Sequence, residues 1–392
     1  MALSRRNFIR VVGGVGIVAV GGASLRGCDG MPEEAIAAWR GPGGETDPRR
    51  RMLAWAQLAP NPHNRQPWLV DLSRPGEIVL HCDRSRLLPH TDPFSRQIMI
   101  GNGCFLELLA MAAASEKQRA AIELFPEGGF AEGEIGRQPV ARVRLTPDDS
   151  VAGDPLFAHV RARRSAKVPY DTGRPVPDAA LAAIETAAIA AGARAGGVRF
   201  AGATEPALVQ ALRDLTQQAM ELEMRTPAAM GESIDLMRLS AAEIAWYRDG
   251  IVLHGPMFWW GQRLGVIDRG ALADPASAVF ASGIARYRDM TQSAMGFAWL
   301  TTSDNGREAQ IAAGRAYARM NLAATAQGLA MQPLSQALQE YREMAPLFAR
   351  AHATLGARPG ETVQMLARLG YAGEVPPSPR RRLDDLIANG AA

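Results

Sequence analysis

Three short runs of this 392-residue chain hold residue types that could do chemistry together. In the first, Arg161, Arg163, Arg164 and Lys167 surround Ser165. Several cations and a hydroxyl presented from one turn are the donors that a phosphate dianion takes, through charge-assisted hydrogen bonds. A solvated basic patch is the plainer reading of the same run. In the second, Pro60-Asn61-Pro62-His63-Asn64 makes a rigid turn that enters a strand pattern through Gln66, Pro67 and Trp68. A helix-to-strand turn above a buried Trp reads the same way. The third run, Pro333-Leu334-Ser335-Gln336, follows Gly328 and a helix rich in small residues. The histidines show no H-E-x-x-H or similar spacing and the cysteines no C-x-x-C, so no metal site is expected.

These runs need elements to hold them. Residues 49–58 read as a helix that the proline turn breaks, and residues 67–72 and 77–82 as strands about a Ser-Arg-Pro-Gly turn. An Ala/Leu-rich helix is expected over 104–120, with strands at 121–125 and 140–145. After Asp154 the pattern resumes with helices at 155–164, 178–191 and 206–225, and a strand at 198–201. Strands at 297–302 and 362–371 flank a helix over 306–327. Helices mixed irregularly with short strands, twice over, point to an α+β layered fold with an internal duplication. Residues 230–295 fit neither half. Their Trp246, Tyr247, Phe258, Trp259 and Trp260 read as core or interface, or as a lid over a flat ligand.

Together the three runs resemble the nitroreductase family. The stretch from Ala59 to Trp68 is similar to its A-P-S-x-x-N-x-Q-P-W element, and 163–167 to its R-[RH]-S-x-[RK] element. Residues 328–334 are similar to its G-L-x-x-x-P-[IL] turn. Arg368-Leu369-Gly370-Tyr371 and Arg380-Arg381-Arg382-Leu383 resemble its C-terminal tail, with Arg382 in place of the usual Pro. The order of elements resembles the fused, double-length Acg-type branch. The resemblance implies a three-layer fold of two nitroreductase-like halves in one chain, a monomeric pseudo-dimer, split as 49–154 and 155–392. It implies FMN as cofactor, with its phosphate held by Arg163, Arg164, Ser165, Lys167 and Arg380. It places Pro60, Asn61, Pro62 and Asn64 along the ring, and Pro333, Leu334, Ser335 and Gln336 at its N5 edge. No side chain is expected as catalytic acid, base or nucleophile, because the cofactor carries the chemistry. The implied activity is two-electron transfer to a small aromatic or quinone-like acceptor. The rival is a flavin-sequestering protein with little turnover.

Composition agrees with a large folded chain, at 47% hydrophobic and 21% charged residues. A formal net charge of +3 gives no case for nucleic-acid binding. Residues 1–28 read as an export signal: Arg5-Arg6-Asn7-Phe8-Ile9 resembles the twin-arginine motif, and a short glycine-rich apolar stretch follows. That motif implies the twin-arginine export machinery as partner and a periplasmic location. Cys28 ends a Leu-Arg-Gly-Cys box that resembles a lipoprotein site, so lipid attachment and simple cleavage both stand. Residues 29–48 read as a linker.

Overall fold

The computed structural model describes residues 30–388, apart from residue 132 and residues 193–196. The expected signal and Cys28 lie outside the described residues. Inside the stretch expected to be a linker, α1 (Glu33–Ile36) and a following 3₁₀ turn bury Trp39, whose indole N–H donates to the Ser378 carbonyl over 2.8 Å. Gly and Pro gave that stretch a loop composition, but burial of one large ring fixes it.

The first half begins with α2 (Pro48–Ala56), capped by the Asp47 carboxylate on the Arg49 amide. β1 (Trp68–Asp71) and β2 (Glu77–Cys82) pair antiparallel, and β2 alternates half-buried and buried residues as a one-sided strand should. The central helix α3 spans Arg96–Ser115, eight residues earlier at its start than the apolar run suggests. Its first residues are polar yet buried: Arg96 is paired with Glu340 and donates to the carbonyls of Gln364 and Leu338. Buried Asp92 accepts from the amides of Gln97 and Ile98 and closes the helix start. β3 (Gln118–Leu124) and β4 (Ala141–Pro147) complete an antiparallel sheet ordered β1-β2-β4-β3.

The residues after Asp154 build a second sheet. α4 (Asp178–Gly192) precedes β5 (Arg199–Ala203). A long excursion then runs through α5 (Pro206–Arg225), α6 (Pro227–Asp235), β6 (Met237–Arg238), α7 (Ala241–Tyr247), β7 (Ile251–Val252), α8 (Pro256–Arg263), α9 (Arg269–Ala273) and α10 (Ala278–Gln292). The fold returns with β8 (Gly296–Thr302), α11 (Arg307–Ala326), β9 (Ala330–Pro333), α12 (Ala345–Thr354) and β10 (Thr362–Gly370). β9 occupies residues expected to form only a turn. Residues 155–159 form a 3₁₀ turn rather than the helix expected there. The second sheet is ordered β5-β8-β10-β9, the same sequence of positions as the first. β8 and β10 are buried along their whole length, because protein covers both faces.

The halves meet where α3 crosses α11. A Cβ on Gly103 would lie 2.2 Å from the Ile311 carbonyl oxygen, and one on Gly314 would lie 2.0 Å from that of Ile100. Each glycine and the carbonyl facing its partner are offset by 211 positions (314 − 103 and 311 − 100). The two contacts mirror each other in sequence. Arg96 and Arg307 share the same offset, and Arg307 reaches back to the carbonyls of Phe94 and Glu134. Glu107 of α3 pairs with Arg315 and Arg319 of α11 and ties the crossing further. Cys82 and Cys104 are free, buried thiols, and burial raises both above the ordinary range.

Candidate functional site

The loop after α2 is held in unusual backbone. His63, Asn64 and Gln66 have φ of 45°, 52° and 50°, a left-handed region that costs L-residues about 1 kcal/mol or more each. Side chains over-determine it. The Asn61 side-chain Oδ1 accepts from the Gln66 backbone amide at 2.7 Å. Buried Gln66 donates to the carbonyls of Asn64 and Arg248 and accepts from the Arg381 amide. Asn64 donates to the Pro379 carbonyl and accepts from Arg380, so its side chain is committed to the C-terminal tail. What the loop leaves accessible is its backbone, the half-buried Pro62 ring and His63, whereas Pro60, expected along the ring of a ligand, is buried in the protein. Burial, with Lys167 and Arg65 nearby, pushes the His63 imidazole down to about 3, so it is neutral at any ordinary pH.

Next to this loop three guanidinium groups converge. Arg163 donates to the Leu58 carbonyl at 2.8 Å, while its Nε and Nη1 are buried with no partner. Arg164 donates to the carbonyls of Val375, Arg161 and Arg163. Arg380 donates to the carbonyls of Gln57, Leu58, Ala59 and Pro379 and to the Ser378 hydroxyl, and those groups hold it in place. All three stand over one ring, that of Trp39, at 5.6, 4.6 and 5.0 Å from its centroid. No ion pair joins a carboxylate to any of the three among the described residues. Burial lowers the pKa of Arg163, and burial plus Arg163 and Arg164 lowers that of Arg380. Unsatisfied buried donors amid uncompensated positive charge fit a bound anion.

Ser165 and Lys167 continue the same strand-like run. Ala166 donates its amide to the Met331 carbonyl of β9, which seats the run against the second sheet. Fully buried Arg368 of β10 locks it from below, donating to the carbonyls of Ala166 and Val168 and to Gln332. The Tyr170 ring lies 3.7 Å from that guanidinium. Lys167 is exposed, and the protein around it desolvates the ammonium enough to lower its pKa. Glu223 interacts with both Lys167 and Gln336, so the run and the turn after β9 are neighbours, and the space they border is the candidate cleft. The Leu334 amide is taken by the Leu366 carbonyl, which leaves the Ser335 and Gln336 amides as those the turn can present. Pro333 sits in β9, paired with Ala367.

Two functional candidates were missed in the sequence. Trp39 carried no periodic signal. Glu223 lies inside α5, an ordinary amphipathic helix, and only the fold buries its carboxyl beside Gln339, which donates to it at 2.7 Å. The expected aromatic core of residues 230–295 is in part surface: Trp246 is 82% exposed. This excursion is bound to the proline loop through the Gly250 amide on Asn64 and through Asp249, which pairs with Arg65, Arg86 and Arg238.

Proteins from two strains of Mycobacterium tuberculosis, provisionally named NAD(P)H nitroreductases, are each 28% identical over 352 residues, covering 86% of this chain and 90% of their own. The FMN- and NADPH-dependent nitroreductase NfnB of Sphigopyxis sp. strain HMH is 21% identical, covering 61% of this chain and 100% of its own, with a TM-score of 0.38. The FMN-dependent NfnB of Mycobacterium smegmatis, solved with NADPH, is 18% identical, covering 60% and 98%, with a TM-score of 0.37. The nitroreductase family model matches residues 160–371, more than half of the sequence, and the chain belongs to that family.

Proposed function

We propose that the chain is an exported FMN-dependent oxidoreductase of the nitroreductase type. It takes two electrons from a nicotinamide donor and passes them to a small aromatic or quinone-like acceptor. The observation that carries this reading is the Arg163–Arg164–Arg380 cluster, with two orphaned donors on Arg163 and no carboxylate paired to the cluster among the described residues. A phosphate dianion supplies what the cluster lacks. FMN, once bound, supplies the hydride chemistry. The protein binds and orients: Arg163 and Arg164 hold the anionic end, and Arg380 braces Asn64. The proline loop edges the ring, and the Ser335 and Gln336 amides face its N5 side. Neutral His63 puts an uncharged surface on the cleft wall.

The whole chain is proposed to be a pseudo-dimer with one working site. In support, the two sheets have one strand order and the glycine crossing is reciprocal. The proline loop belongs to the first half and the arginine run and N5 turn to the second. Export is proposed from the Arg5-Arg6 motif alone, and the Arg5→Lys/Arg6→Lys precursor should stay in the cytoplasm.

A visible spectrum of the purified protein, followed under anaerobic NADH or NADPH, tests the activity. Flavin bands that bleach and recover on adding a quinone are expected. Bands that never bleach would leave a sequestering protein, and a colourless protein that rejects added FMN would sink the reading.

A further inference from the structure

Glu223 is a buried carboxyl without a cationic partner in contact, placed behind the turn that faces the proposed flavin edge. α5 packs it against the 3₁₀ turn Gln336–Leu338 that follows Ser335. Gln339 Nε2 donates to its Oε2 at 2.7 Å, and the Gln336 side chain stands close enough to favour the charged form. The other polar atoms around it are in deficit. Gln339 is nine-tenths buried and its Oε1 has no partner, and Gln336 Oε1 and the Tyr341 hydroxyl are buried without one. A carboxylate has no hydrogen to give either amide oxygen, whereas a protonated carboxyl has one O–H and can satisfy one of them. Rotating the Gln339 amide by half a turn exchanges Nε2 for Oε1 at the same position. One pair of side chains therefore serves both charge states.

The groups facing this carboxyl come from every side. Lys167 favours the charged form from the arginine run, while Glu232 of α6 disfavours it. Tyr287 of α10 and Tyr341 are both raised by burial and by Glu223 itself. Burial is the largest influence on Glu223 and pushes it up to about 7, where solvent protons come and go at neutral pH.

We propose that Glu223 is the proton-holding residue of the site: it gains a proton when negative charge enters the cleft and releases it when that charge leaves. This rests on reading the cleft as the FMN site. Hydride from a nicotinamide donor brings two electrons and one proton, a net charge of −1. Solvent then protonates the Glu223 carboxylate, forming one O–H bond and breaking none in the protein. Oxidation by the acceptor reverses the step. Glu223 acts through Gln336 on the turn and through its charge on Lys167, so it is a positioning residue and does not touch substrate.

The test is the reduction potential of bound FMN against pH from 5.5 to 8.5, in wild type, Glu223→Gln and Gln339→Leu. Wild type should show a bend near pH 7 that Glu223→Gln lacks. Gln339→Leu removes a donor to the carboxylate and should move the bend to higher pH. Infrared titration of the flavin-free proteins should show, between pH 6 and 8, a carboxylic C=O band that wild type loses and Glu223→Gln lacks, apart from that of buried Asp92, which is raised to about 6. The same bend in Glu223→Gln, or no such band in wild type, overturns the inference while leaving the flavin reading intact. A protein that binds no FMN overturns both.

Discussion

Arg163 keeps two nitrogen donors unused in a setting that already holds Arg164 and Arg380. A hydrogen bond to a charged group contributes about 1.5–3 kcal/mol, so Arg163→Gln should weaken FMN binding roughly ten- to a hundredfold. Riboflavin has no phosphate, and its affinity should hardly change. Fluorescence titration with both ligands checks this, and equal losses would make the cluster a purely structural feature. His63 gives a pH prediction. Its unfolded imidazole takes a proton below about 6.5 and the folded one only near 3, so the unfolded state binds more protons between them. Stability is therefore lost as pH falls through that window, by up to about 1.4 kcal/mol per unit from this residue. His63→Gln should show a flatter urea midpoint between pH 7 and 5 than wild type. The arginine run and the proline turn stood out in the sequence because they use restricted residue types in tight spacing. Trp39 and Glu223 were not legible, since neither sits in a local pattern and only distant chain segments bury them.

Among the elements, the crossing of α3 and α11 is the tightest constraint. A methyl on Gly103 meets the Ile311 carbonyl at 2.2 Å, a backbone atom that cannot swing aside as a side chain can. Gly103→Ala should force the helices apart and cost about 3 kcal/mol. Gly314→Ala should behave alike, and the double variant should lose less than the sum, because one separation relieves both clashes. Urea unfolding of the three proteins measures it, and additive losses would mean the two sites are independent. The existence of most helices and strands was readable from their periodicity. The start of α3 was not, because Arg96 is buried by partners more than 240 positions away. α3 is also long and apolar enough to cross a membrane by composition, yet it is mostly buried in the protein core. The shared strand order of the two sheets needed the fold, since the duplicated residues amount to a few glycines and arginines.

For the whole molecule, the proposed pseudo-dimer predicts one FMN per chain. The proline loop and the arginine run each occur once, so the complementary site has neither grip. Titration of flavin-free protein should reach equivalence at one FMN, and sedimentation should report a monomer. Two flavins bound with similar affinity would overturn the single-site reading.

Trp39 lies under the guanidinium groups of Arg163, Arg164 and Arg380, and its indole N–H donates to the Ser378 carbonyl, 339 positions away. Ser378 in turn accepts from Arg380 through its hydroxyl. One ring therefore ties together three segments that are far apart in sequence, and the arginine cluster exists only once all three have folded against each other. A chain cut before Ser378 lacks the cluster however much of its core it folds.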